Sequence, residues 1–304
     1  MKAESSAPDW PALDWSAPWF ASLRAVAEPL WARIGAGETV ADAVNAGLAA
    51  LQAQGRLQLL AGWRFVPQAQ LPPGMAYEAF IHRYQAVPTR CNLHDFFNAM
   101  VWLHYPRLKR QLNALQARQI AQAGVGAVRG ALRDAATLLD ENGALLLAPP
   151  ALQTALRQRD WRQLGVQARP LWQQARFLPL GHALLEKLVQ PRKSITAHVL
   201  CLAPEVVASA VTDVDAALAA QCSAEWLAQK PFSPLPVLGV PGWWPGNEEV
   251  CFYDDPLVFR SARPDKSIQQ TDDALRRLNP VTSAPRCDAG ADVRLSPLVE
   301  NHFQ

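Results

Sequence analysis

The 304-residue chain lacks most features that assign function at sight. No run of 18 apolar residues occurs, so no membrane-spanning helix is expected. The N-terminal "MKAESSAPDWPALDW" has no charged segment leading into an apolar core, so a secretory signal is not expected either. Cysteine is sparse: Cys91, Cys201, Cys222, Cys251 and Cys287 are scattered, odd in number and without CxxC or zinc-finger spacing. Such a pattern suits reduced thiols and a cytoplasmic location. HExxH, GxSxG, the P-loop, GxGxxG and an RNA-recognition signature are all missing. "GVGAVRG" (124–130) is glycine-rich, but no strand precedes it and no Lys-Ser follows, so it gives little support for phosphate cradling.

What is present is an uneven charge. The net value is only +2. Residues 1–79 carry −2, residues 80–193 carry +10 and residues 194–304 carry −6. A basic middle between acidic ends suggests an anionic partner, either a small molecule or nucleic acid; the plain alternative is a solvated basic surface. The basic residues nearest the polar motifs are Arg90, Arg107, Lys109, Arg110, Arg133, Arg192 and Lys193.

Half of the residues are apolar, enough for a sizeable core. Trp10, Trp15, Trp19 and Trp31, interleaved with prolines, predict an irregular aromatic arm over 1–35 that docks onto the body. "TVADAVNAGLAALQAQ" (39–54) reads as a helix stopped by Gly55, and 75–90 as a helix ending before Pro88. Phe96, Met100 and Leu103 recur at the core-facing spacing of a helix, and Pro106 suits the first turn of the next one. Asn142-Gly143 between two apolar runs predicts a hairpin with strands near 135–141 and 144–148. Short strands are expected at 175–180 and 194–202, a helix at "GHALLEKLVQ", and a Thr212–Asp215 capping box. The proline- and aromatic-rich stretch 231–260 reads as an ordered excursion, with 263–304 a loose tail.

The polar residues of "RCNLHDFFNAMVWLHYP" (90–106) exceed what helix capping needs. Asn92 and Asp95 can form a capping box. His94 and Asn98 are left over, one turn apart on one face. His182 and Glu186 repeat that i, i+4 relation, and a carboxylate so placed can orient an imidazole, support a general base or join a metal site. Asp134, Asp140 and Glu141 near the expected hairpin supply further carboxylates, although "DENG" is good turn material in its own right. Convergence of His94, His182, Glu186 and Asp140 would allow a divalent cation. His198, in an apolar strand, needs a partner of its own.

Four segments, "VPTRCNLHDFFNAMVWLHYPRLKRQLNALQ", "LRDAATLLDENGALLL", "LPLGHALLEKLVQPRKSITAH" and "FYDDPLVFR", together resemble the bacterial family known as domain of unknown function 3025. The resemblance covers roughly residues 15–262 and implies a single fold and a bacterial cytoplasmic origin. It transfers no activity and no site residue. The chain departs from the family pattern at Leu93 and Leu180, positions of packing.

These readings lead to one mostly helical α+β domain over 1–262 with a small sheet and hairpin. In it His94, Asp95 and Asn98 meet His182 and Glu186, with Asp134, Asp140 or Glu141 nearby. Arg90, Lys109, Arg110, Arg133 and Lys193 would attract an anionic substrate. The expectation is a hydrolase of a phosphoester or nucleotide, with metal assistance as an option. The alternative is a non-catalytic protein- or nucleic-acid-binding module that uses the basic face or the Trp243-Trp244 loop.

Overall fold

The computed structural model describes residues 10–123, 130–202 and 211–262. The tail at 263–304, most of the glycine-rich stretch and the Thr212 side chain fall outside them. The elements form a mostly helical α+β fold with two small sheets.

The N-terminal tryptophans do act as anchors, but from an ordered segment. Trp15 and Trp19 are buried, and Trp10 meets Trp31 edge-on with ring centroids 5.0 Å apart. Residues 24–35 are helix α1 (Arg24–Gly35), not an irregular arm. Its Ala27, Leu30 and Ile34 face inward at helical spacing despite Pro29. Helix α2 (Val40–Ala53) begins at Thr39, whose side chain accepts from the Asp42 N–H.

The helix expected over 75–90 is shorter. Helix α3 (Tyr77–Tyr84) ends at Gln85, which sits at φ 51°. Residues 86–89 then form β2 (Ala86–Thr89), fully buried and parallel to β1 (Arg64–Pro67). Val87 precedes a proline and is β-branched, so it resists helical backbone.

Helix α4 (Leu93–His104) buries Phe96, Phe97, Met100 and Leu103 as its pattern predicts. Phe97 stacks on Phe20, which ties α4 to the N-terminal segment. Helix α5 (Pro106–Ala123) follows at once. Its first N–H groups are satisfied from a distance: Asp215 accepts from Arg107 N and Leu108 N, both at 2.9 Å. The capping box expected between Thr212 and Asp215 involves a side chain outside the described residues. Burial raises the Asp215 carboxyl above its ordinary range, and these two N–H groups offset part of the effect.

The expected hairpin is overturned. Residues 131–142 form helix α6 (Ala131–Asn142), followed directly by β3 (Gly143–Leu147). A two-residue hairpin of the Asn-Gly type needs left-handed backbone, whereas Gly143 is extended at φ −72°, ψ 151°. Leu132, Ala135, Ala136 and Leu139 form the buried stripe of a helix.

After helix α7 (Pro150–Gln158) come β4 (Arg176–Pro179), helix α8 (His182–Lys187), β5 (Thr196–Leu202), helix α9 (Val211–Gln221) and β6 (Ser233–Pro236). The four strands lie in the order β4-β3-β5-β6. Strand β3 runs parallel to β5 and antiparallel to β4, and β6 is antiparallel to β5. The β3 strand is buried along its whole length, as a central strand covered on both faces should be.

Residues 237–260 are pinned over the core. The Asn247 amide donates to the carbonyls of Leu238 and Val240 at 2.8 and 2.7 Å. Trp243 packs on Trp19 and Phe177, and Trp244 is also partly buried against the core. Both tryptophans are therefore partly buried against the core.

Candidate acid–base site

Two close backbone approaches assemble the site. Leu180 N and Gly181 N both donate to the Gly143 carbonyl, at 3.0 and 2.8 Å. The start of α8 is thereby held against the end of α6. A Cβ on Gly181 would lie 2.3 Å from the Glu141 carbonyl, so only glycine permits this contact. Helix α4 packs along α8, which brings His94 over the same end.

The result is a cavity of about 310 Å³ lined by polar groups from α3, α4, α5, α6 and α8. A chain of interactions crosses it. The Asn98 amide donates to the Tyr77 hydroxyl at 3.0 Å. Lys109 Nζ donates to Asn98 Oδ1 at 2.8 Å and to Asp140 Oδ1 at 2.5 Å. Asp140 Oδ2 lies 3.8 Å from His182 Nδ1. The His182 and His94 rings meet edge-on at 4.5 Å, and His94 Nδ1 donates to Glu186 Oε2 at 2.8 Å. A carboxylate only accepts, so this contact calls for a proton on His94 Nδ1, and in the neutral ring Nε2 is then the acceptor. Nε2 makes no hydrogen bond within the described residues.

Protonation follows from burial. His182 is buried, and desolvation lowers its pKa to about 4. The carboxylate and backbone of Asp140 offset this in part, while Lys109 and His94 add to it. Burial pushes the Asp140 carboxyl up, but the Lys109 ammonium and the His182 ring outweigh it and hold the group below the usual carboxylate range. Burial and the Asp95 charge raise the Tyr77 phenol, so it stays protonated. At neutral pH the cavity thus holds a neutral His182 beside an ion-paired Lys109 and Asp140.

The carboxylates differ in role. Asn92 caps α4 by accepting from Asp95 N at 2.8 Å. The Asp95 side chain turns back to Arg90, accepting from its backbone N–H at 2.6 Å and from its guanidinium at 2.9 and 3.1 Å. Asp95 lines the cavity with both oxygens engaged. Glu141 lines it too, one helical position from Asp140. Asp134 does not. The hairpin expected to bring it near Asp140 does not exist, and it sits exposed in the first turn of α6, where a carboxylate meets the helix dipole.

The proposed basic surround is spread out. Arg90 and Lys109 line the cavity, while Arg133 does not. Arg110 lies over the Trp63 ring in a different cavity, and Lys193 pairs with Asp255 against Phe252. Within the lining, Arg90 and Lys109 face Glu78, Asp95, Asp140 and Glu141. No group of three His, Cys, Asp or Glu residues is arranged to hold a metal ion among the described residues. The position beside Asp140 where a cation belongs is taken by the Lys109 ammonium.

His198 is elsewhere. It is half-buried on β5 beside Phe232, and burial lowers its pKa. His104 is partly buried on α4, donates to the Met100 carbonyl at 2.8 Å, and desolvation lowers its pKa to about 4. Sequence reasoning missed Tyr77, Trp102, Asn113, Gln116 and Thr137 in the lining. Asn113 and Gln116 each lie one position after the leucines Leu112 and Leu115 of α5, three apart and so on one helix face, a signal that was available.

No helix among the described residues is long and apolar enough to cross a membrane. No curated protein and no solved structure matches the chain. Residues 63–263, which contain every side chain of the cavity, match the model of a family described as "Protein of unknown function (DUF3025)", and the chain belongs to that family.

Proposed function

We propose that the cavity is the active site of a hydrolase that works by general acid–base catalysis, with His94 as the base. One observation carries this reading: the 2.8 Å contact between His94 Nδ1 and Glu186, residues 92 positions apart, ties a cavity-lining imidazole to a carboxylate, an arrangement that in the neutral ring makes Nε2 the basic nitrogen. A base so oriented can take a proton from a water molecule attacking an ester-type substrate, a contribution of about 10²–10⁴-fold. Glu186 fixes the tautomer and stabilises the imidazolium that forms. His182, neutral and next to His94, keeps the base from sharing the cavity with a second positive ring. Lys109 and Arg90 are the groups available to hold an oxyanion or a phosphoryl oxygen.

The lining does not gather anions by its overall field, because its carboxylates outnumber its cations. A phosphoester would depend on direct contact with Arg90 and Lys109. The test is a panel of phosphoesters, nucleotides and uncharged esters of matched size. Turnover that falls at least 100-fold in His94→Gln with the fold intact supports the reading. Absence of turnover on every class, or turnover unchanged in His94→Gln, overturns it.

A binding-module reading has one observation behind it: Asn98, Lys109 and Asp140 form a closed, buried network, the kind that rigidifies a core. That network and the open base occupy different ends of the cavity, and both roles coexist.

A further inference from the structure

A second cavity, of about 370 Å³, lies on the adjoining face of α5. Arg107, Arg110, Gln111 and Ala114 line it from α5. These positions fall at i, i+3, i+4 and i+7, one face of a helix. His82 and Gln85 line it from the end of α3, with Leu59, Trp63 and Ala219 completing the wall. Asn113 belongs to both cavities.

The two linings have opposite electrical character. The first holds four carboxylates against two cations. The second holds two guanidiniums and an imidazole and no carboxylate at all. Asp215, which feels the Arg107 charge, is outside the lining and is occupied by the first N–H groups of α5. Arg110 is held over Trp63 at 5.8 Å, and Trp63 rests on Trp102 at 5.0 Å, so the guanidinium is positioned by a rigid aromatic pair. The Gln111 and Asn113 amide nitrogens already donate to the carbonyls of Cys222 and Glu78, which leaves their oxygens as acceptors.

We propose that this second cavity binds a small phosphomonoester. The phosphate meets Arg107 and Arg110, whose planar guanidiniums suit bidentate contact with phosphate oxygens, and His82, which can offer a single N–H. The organic body lies against Leu59, Trp63 and Ala114. The basic middle of the chain thus serves an anion, at a cavity next to the histidines. This inference does not rest on the hydrolytic reading, because it concerns binding alone.

The test is calorimetric titration of the full chain with AMP, glucose 6-phosphate and inorganic phosphate at low and physiological salt. The expected result is binding of at least one phosphomonoester, tighter than inorganic phosphate and weakened by salt. Arg107→Gln and Arg110→Gln each weaken it at least tenfold, and Arg110→Lys restores less than half of the loss. Trp63→Leu weakens the phosphomonoester more than phosphate. Circular dichroism and melting temperature confirm that each variant folds, and His94→Gln, outside this cavity, leaves binding unchanged. Absence of binding at millimolar ligand overturns the proposal. So does binding equal in the wild type and both Arg→Gln variants, or a single-stranded oligonucleotide that outcompetes every phosphomonoester at this cavity.

Discussion

The two ends of the histidine cavity obey different rules. Around Lys109 each charge has a partner: the ammonium meets Asn98 and Asp140 and lies over the Trp102 ring at 5.4 Å. Around His94 one ring nitrogen is tied to Glu186 and the other is open, with both side chains about a third exposed. A closed buried pair is costly to break and contributes little to chemistry. A histidine–carboxylate pair a third exposed is cheap to remove, and under the proposed function it is the pair that would carry the proton transfer. The contrast separates a closed, buried end of the cavity from an open, partly exposed one.

The largest expected effect comes from breaking the closed end. Lys109→Met strands the Asp140 carboxylate in a buried cavity and should destabilise the fold by about 3–5 kcal/mol in chemical denaturation. The Lys109→Met, Asp140→Leu double variant should recover most of that loss. If the single variant loses under 1 kcal/mol, the closed end is not structural. Next, Gly181→Ala drives a methyl into the Glu141 carbonyl, at a cost of about 1–3 kcal/mol or more as α8 is pushed off α6.

Acid sharpens the comparison further. His182 and His104 have pKa values lowered to about 4 in the folded chain, against 6.5 for the ordinary group. The unfolded chain therefore binds more protons between those values, so stability is full above pH 6.5 and falls as pH drops toward 4. Each contributes on the order of 3 kcal/mol over that window. His182→Gln should flatten the acid limb of a stability–pH curve by one histidine's worth, and an unchanged slope would place the ring in water. At the open end, His94→Gln should change stability by less than about 1 kcal/mol. Arg90→Ala, which removes a half-exposed partner of Asp95, should shift stability by at most about 1 kcal/mol and leave α4 capped by Asn92.

The legible parts of the sequence were those with a local cause. Asn92 before α4, the Phe96–Met100–Leu103 stripe, Pro106 at the start of α5 and the β-branched run of β5 all appear where their patterns put them. The i, i+4 pairs His94/Asn98 and His182/Glu186 lie on α4 and α8, two helices that the fold packs together. The failures share a reason. Asn142-Gly143 is a hairpin signal only if the strands on either side pair with each other. Here β3 found β4 and β5 instead, and 131–142 buried a helical stripe. Asp134 was lost to the site with that hairpin. The basic residues, continuous in sequence, point from different helix faces and serve different neighbours.

By itself the sequence determined the helical periodicities, the caps and the surplus of imidazoles and carboxylates, because each depends on residues within one or two turns. Tertiary structure alone decided which of them share a cavity, which charge neutralises which, and that Lys109 lies beside Asp140. Those facts depend on the bond from Gly181 to Gly143 and the packing of α4 on α8, contacts between residues far apart in the chain that no local pattern encodes.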